Sequence, residues 1–151
     1  MAAGTQTIVT NRRARFDYEI LDRFEAGLVL TGSEVKSLRD GSAQIVESFV
    51  KIGREGADLM NMTIPPYAMG GYSNHEPRRP RRLLLHKSEI EKLRKGTEQK
   101  GMSIVPTKLY FKDGRAKVEI ALGKGKKTVD KRQTIAERES KRRLDRVMKR
   151  Q

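Results

Sequence analysis

From Phe16 to Leu30 the apolar residues fall mostly on even positions: Phe16, Tyr18, Ile20, Phe24, Ala26, Leu28 and Leu30. Asp17, Glu19, Arg23 and Glu25 lie between them. A period of two marks a strand with one face buried. Asp22 breaks the stripe and predicts a kink, and Gly27 inside it predicts a bulge or bend of the kind small barrels need. Thr31-Gly-Ser-Glu34 has capping-box spacing, Val35 and Leu38 follow at helical intervals, and Gly41 supplies a stop. This predicts a helix of about two turns. Residues 45–64 read as a hairpin, with Ile45 to Ile52 going out, Gly53-Arg-Glu-Gly56 turning, and Ala57 to Ile64 returning to Pro65-Pro66. The loop from Tyr67 to Arg82 carries Gly70-Gly71, Pro77 and Pro80, and its length points to function or disorder.

Leu83-Leu-Leu85 is a brief apolar run, and Ser88-Glu-Ile-Glu91 is a second capping box opening a helix to about Lys100, with Gly101 as its stop. Asp113-Gly114 is a type I′ turn signal between alternating strands. That register pairs Phe111 with Ala116 and Leu109 with Val118 toward the core, and Lys108 with Glu119 as a cross-strand ion pair. Tyr110 and Lys117 share the other face. Thr134-Ile-Ala-Glu137 is a third box, predicting a helix to about Lys149 whose apolar positions are too few to bury a face. The predicted fold class is mainly β with short helices (α+β). It is a small antiparallel barrel of the oligonucleotide-binding (OB) kind, with five or six strands, appended helices and a basic C-terminal tail. Residues 1–10 are expected to be disordered, 11–122 to form the barrel, and 123–151 to be a tail that is disordered when free and helical on a polyanion.

Charge changes what this barrel is for. The 151 residues carry a net charge of +14, and only 5% are aromatic. An excess this large calls for an anionic partner, and the chain lacks the basic amphipathic helix with bulky apolar residues that would favour a membrane. From Gly123 to Gln151 there are twelve Lys or Arg against four Asp or Glu, a net of +8. Arg78, Arg79, Arg81 and Arg82 form a second cluster, and Arg12, Arg13 and Arg15 a third. Few aromatics with many cations favour structured RNA read by shape and phosphate over bare single strands. Tyr67, Tyr72 and Tyr110 are the stacking candidates. The absence of Cys excludes a disulfide scaffold, a Cys-based zinc site and a thiol nucleophile. No apolar run approaches the ~20 residues of a membrane span, and no signal peptide is evident, so a cytoplasmic protein is expected.

Catalytic chemistry has thin support. His75 and His86 are the only histidines and lack metal-ligand spacing. Gly123-x-Gly125 lacks the third glycine of a dinucleotide loop. Asp17, Glu19 and Glu25 at alternating positions would suit a two-metal nuclease, but a solvated strand face accounts for them more simply. No enzyme, cofactor or metal is expected.

Several segments then occur in order: Asn11-Arg-Arg-Ala-Arg15, Phe24-Glu-Ala-Gly27, Thr31-Gly-Ser-Glu-Val-Lys-Ser-Leu-Arg39, Arg82-Leu-Leu-Leu-His86, Gly123-Lys-Gly-Lys-Lys127 and Asp130-Lys-Arg132. From about residue 8 to its end the chain resembles the bacterial SsrA-binding protein (small protein B) family. The resemblance implies a non-catalytic adaptor. It would bind the tRNA-like domain of transfer-messenger RNA and carry it to stalled ribosomes for trans-translation. It implies RNA contacts by Asn11, Glu25 and Leu84. With the basic segments, the candidate RNA-binding set is Asn11, Arg12, Arg13, Arg15, Glu25, Lys36, Arg39, Arg81, Arg82 and Leu84. Lys124, Lys126, Lys127, Asp130, Lys131 and Arg132 match the start of a tail that occupies the empty mRNA channel by the small-subunit decoding region. Val129 stands where the family often has an aromatic residue or His, leaving apolar contact in place of stacking. Elongation factor Tu is implied as a partner through the RNA complex. The alternative is a constitutive ribosomal protein with a basic extension.

Overall fold

A computed structural model describes residues 5–41, 43–68 and 74–126, with Ile135, Arg138, Glu139 and Arg142. In chain order the elements are β1 (Thr5–Thr10), α1 (Arg13–Asp17), β2 (Tyr18–Leu28), α2 (Gly32–Arg39), β3 (Phe49–Gly53), β4 (Gly56–Met60), β5 (Arg81–Leu84), α3 (Lys87–Thr97), β6 (Met102–Lys112) and β7 (Arg115–Gly125). The strands form one sheet in the order β1-β6-β7-β2-β5-β4-β3, with every neighbouring pair antiparallel.

The β6–β7 hairpin has the register that its turn predicts, Phe111 opposite Ala116, Leu109 opposite Val118 and Tyr110 opposite Lys117. Asp113 and Gly114 both take positive φ, 52° and 79°, as a type I′ turn requires. Leu109, Val118 and Ile120 are fully buried and meet Ala57, Leu59, Ile64 and Leu93 in one core. Asp22 marks a true irregularity, because the β2–β7 register shifts between Ile20 and Asp22. Gly27 sits where β2 changes partner, opposite both Lys117 of β7 and Leu84 of β5. The Thr31 box forms as predicted. Thr31 N–H donates to Glu34 Oε1 at 2.9 Å, and Glu34 N–H donates to Thr31 Oγ1 at 3.4 Å.

Several expectations are corrected. Thr5–Thr10 is not disordered: it pairs with β6 as an edge strand, its short polar side chains concealing a strand stabilised by a partner about a hundred residues away. Phe16 belongs to α1 and not to the first strand, since a single helical turn is too short to show a period. The outgoing strand of the hairpin expected over residues 45–64 begins only at Phe49, after a turn in which Ser48 Oγ donates to Ile45 O. α3 starts a residue before the Ser88 box, with Glu89 accepting from His86 N–H at 3.0 Å, and ends at Thr97. Gly96 lets that helix close on β7, because a Cβ there would stand 2.4 Å from Leu122 Cδ2. Among the described residues no ion pair joins Lys108 to Glu119, whose carboxylate accepts instead from the Thr107 hydroxyl at 2.5 Å. The expected class, a mainly antiparallel sheet with short helices of the oligonucleotide-binding kind, holds, and the sheet does not close. β1 and β3 are sheet edges, and β3 curls back against β6 without a ladder between them.

Candidate nucleic-acid interface

The Asn11–Arg15 segment is pinned from beneath and exposed above. Where β1 ends, a bulge in β6 leaves Thr107 out of the β7 register, and its carbonyl accepts from Asn11 N–H at 2.7 Å. The Asn11 amide donates to Pro106 O at 3.0 Å and to Ile45 O at 3.5 Å. Its Oδ1 is sealed from solvent without a hydrogen-bond partner among the described residues, and the residue is only 5% exposed. A predicted RNA contact is thus a buried clamp, with both amide protons spent on protein carbonyls. Turning the amide over would set its oxygen against those two carbonyls, so the hydrogen-bond network fixes the orientation. α1 starts two residues later and buries Ala14, leaving Arg12, Arg13 and Arg15 exposed. Arg13 turns toward Asp17 at 3.9 Å.

Arg12 and Arg15 line a groove with Arg23 of β2, Lys108 of β6 and Glu119 of β7, and Arg138 and Arg142 of the C-terminal segment border it. Arg23, Lys108 and Glu119 also line the adjoining depression, which holds Glu25, Tyr110 and Lys112. The two depressions run along the outer face of β2, β7 and β6. Glu25 accepts from the Tyr110 hydroxyl and pairs with Lys112 Nζ at 3.4 Å. The Tyr110 hydrogen bond holds the Glu25 carboxyl below its ordinary value against a smaller opposing effect of burial, and Lys112 and Lys117 add to the lowering. Leu84 stands opposite Gly27, two residues along β2 from Glu25, and is 60% exposed. A Cβ at Gly27 would lie 3.3 Å from Leu84 Cβ, so the glycine leaves room for it. Cations, a carboxylate able to accept from O–H or N–H, and an exposed apolar side chain lie on this face, the kinds of group that phosphates, bases and sugars of a folded RNA can meet.

The second arginine cluster is built differently. Arg81 is fully buried and donates from Nε to Glu34 Oε2 at 2.6 Å, from Nη1 to Met62 O, and from Nη2 to Pro77 O at 3.1 Å. Arg79 Nη2 pairs with the other oxygen of Glu34. Burial pushes the Glu34 carboxyl up, but the hydrogen bonds from Arg79, the Thr31 N–H and Arg81 outweigh it, and the net shift is downward. Arg81 is therefore withdrawn from the RNA-contact set: its guanidinium neutralises a buried carboxylate and cannot reach a ligand. Arg82 is committed to Asp58 at 3.0 Å and to Glu55 O at 2.9 Å, beside the β3–β4 turn. His75 packs between the Ser33 hydroxyl at 2.9 Å and Ile64 O at 2.8 Å, tying the long loop to α2.

Lys36 and Arg39 are exposed on α2, outside the groove, with Lys36 Nζ 5.7 Å above the Tyr67 ring. At the exit of β7, Lys124 is exposed and Lys126 Nζ donates to Arg15 O at 3.0 Å. Lys127, Val129, Asp130, Lys131, Arg132, Tyr72, Gly70-Gly71 and, of the third capping box, Thr134, Ala136 and Glu137 lie outside the described residues, as does most of the expected tail helix. Ile135, Arg138, Glu139 and Arg142 are described and helical. Among the described residues no three of His, Asp or Glu are grouped to hold a metal ion, and Glu25 is hydrogen-bonded to Tyr110, not to another carboxylate. No helix of the described residues is long and apolar enough to cross a membrane. Sequence reasoning missed Arg23, Lys108 and Lys112 as groove residues. Lys108 and Lys112 alternate with Leu109 and Phe111, a signal that could have placed them on the outer face; nothing local reveals that β2 and β6 flank the same strand.

A family model described as SmpB protein matches residues 8–150. The chain is 56% identical over 147 residues to the SsrA-binding protein of Thermobifida fusca, covering 97% of this chain and 92% of that one. It is 54% identical to the SsrA-binding protein of Parafrankia sp., with 98% and 94% covered. A chain solved under the description "tmRNA-SmpB: a journey to the center of the bacterial ribosome" is 50% identical and superposes with a TM-score of 0.67, covering 80% of this chain and 85% of that one.

Proposed function

The chain belongs to the SmpB protein family, and from that premise we propose that it is an RNA-binding adaptor that binds transfer-messenger RNA and brings it to stalled ribosomes for trans-translation. The observation that carries this reading is identity above one half, over nearly the whole length, to proteins called SsrA-binding. The groove offers the physical means, with Arg12, Arg15, Arg23 and Lys108 for phosphates and Glu25 for a contact that distinguishes one folded RNA from another, and exposed Leu84 on the neighbouring strand adds an apolar contact. The preferred target is the tRNA-like domain, because a rigid curved sheet reads a folded RNA by shape. In the same reading the protein is non-catalytic and acts in the cytoplasm. Its tail from Lys124 onward lies in the empty mRNA channel near the decoding region, and elongation factor Tu joins through the RNA.

A gel shift against transfer-messenger RNA, an elongator tRNA and a random structured RNA at physiological salt tests it. Strong preference for the first supports the adaptor. Equal binding to all three makes the groove a generic polyanion site and favours a constitutive ribosomal protein.

A further inference from the structure

On the reading that Glu25 contacts RNA, we infer that Tyr110 is a positioning residue for that contact. Its hydroxyl, together with the Lys112 ammonium, fixes the Glu25 carboxylate as an oriented hydrogen-bond acceptor facing the RNA. The register creates the need for such a device. Glu25 of β2 stands directly opposite Glu119 of β7, and like charges in that position repel. A glutamate on so cationic a surface is also free to swing onto any neighbouring lysine. Each carboxylate is instead tied by a neutral hydroxyl, Glu119 by Thr107 at 2.5 Å and Glu25 by Tyr110.

Tyr110 suits the task because its ring is buried. It lies on the outer face of β6 yet is only 5% exposed, and Lys108 Nζ sits 5.3 Å from the centre of its ring. A tyrosine hydroxyl has a single proton to donate, and here it goes to Glu25 Oε2. Burial and the neighbouring Glu25 carboxylate push the Tyr110 hydroxyl up, so it keeps the proton it donates. Lys112 engages the other oxygen at 3.4 Å. A carboxylate has about four acceptor positions. Tyr110 and Lys112 take one on each oxygen, and the rest remain for a ligand. A phenol anchors the group without cancelling its charge, which a second close lysine would do.

The test is a double-mutant cycle read by fluorescence anisotropy of the labelled tRNA-like domain of transfer-messenger RNA. The proteins are the wild type, Tyr110→Phe, Glu25→Ala and the double variant. Tyr110→Phe should weaken binding about tenfold, the size of one hydrogen bond to a charged group. The double variant should bind no more weakly than Glu25→Ala alone. Wild-type affinity in Tyr110→Phe overturns the inference, and so do additive losses, which would mean that Tyr110 acts elsewhere. Failure of the RNA reading itself shows separately, as a wild type with no preference for this domain over elongator tRNA. Carboxyl NMR of the free proteins adds a signature that a purely structural tyrosine would not give: the Glu25 titration should move up toward the ordinary carboxylate range in Tyr110→Phe. Should that variant melt early, Lys112→Met carries the same test from the other oxygen. It predicts a smaller loss that also vanishes in the Glu25→Ala background.

Discussion

Asn11–Arg15 and Arg78–Arg82 look alike in sequence, each a short segment dense in arginine, and the fold uses them in opposite ways. In the first, the asparagine is buried and Arg12 and Arg15 reach a groove. In the second, Arg81 is buried, Arg79 is bound to the same carboxylate, and Arg82 is held by Asp58. The difference lies in what stands beneath. Backbone carbonyls beneath α1 are satisfied by a neutral amide, which leaves the cations free to face outward. Glu34, fully buried at the start of α2, demands positive charge and draws two guanidiniums inward. Arginine density alone thus says nothing about binding, and the buried counter-charge decides.

The largest effect should come from the inward cluster. Arg81→Met leaves a buried carboxylate with one partner fewer, and breaking such a pair costs about 3–5 kcal/mol. In a domain of this size that lowers the midpoint of a thermal melt by about 10 °C. RNA affinity of the folded fraction should not change, and a loss of affinity at full folding would return Arg81 to the interface.

Acid should act on the same cluster. The folded-state pKa of Glu34 lies below its unfolded value, so its contribution is whole above the ordinary carboxylate range and is lost as pH falls through the lowered value. Thermal melts should therefore fall most steeply below about pH 4.5, and Glu34→Gln should flatten that limb while lowering stability at neutral pH. Glu25 is shifted in the same direction but is largely exposed, and its share is small.

Asn11→Ala comes next. It removes two donated hydrogen bonds to buried carbonyls, a cost of about 1–3 kcal/mol. Because the clamp holds the start of α1, RNA affinity should fall with stability, and hydrogen exchange should rise at residues 11–15. Weakened binding with unchanged exchange there would mean that Asn11 meets RNA directly.

What the sequence made legible was local. Two turn residues set the β6–β7 register, and four residues spell the Thr31 box, so both could be read without knowing the fold. β1 was missed because its two apolar residues, Ile8 and Val9, are adjacent and do not alternate, the register shifting there, and because its partner is β6. The burial of Arg81 depends on Glu34, 47 positions away, and the groove depends on β2 and β6 meeting across β7. Charge density predicted an anionic partner; only the packing shows which charges are available to it.

The smallest effect on stability and the most direct test come from the outward cluster. Arg12→Ala with Arg15→Ala should change stability by less than about 0.5 kcal/mol, as exposed substitutions usually do. The decisive measurement is the dependence of affinity on salt for the tRNA-like domain of transfer-messenger RNA, with the wild type, this double variant and Arg81→Met compared while folded. Each phosphate contact steepens the log–log slope by roughly 0.7–0.9, so the double variant should flatten it by about 1.5 and Arg81→Met should leave it unchanged. A slope that survives the loss of Arg12 and Arg15, or that flattens equally in Arg81→Met, would contradict the division of the two clusters into a binding face and a structural one.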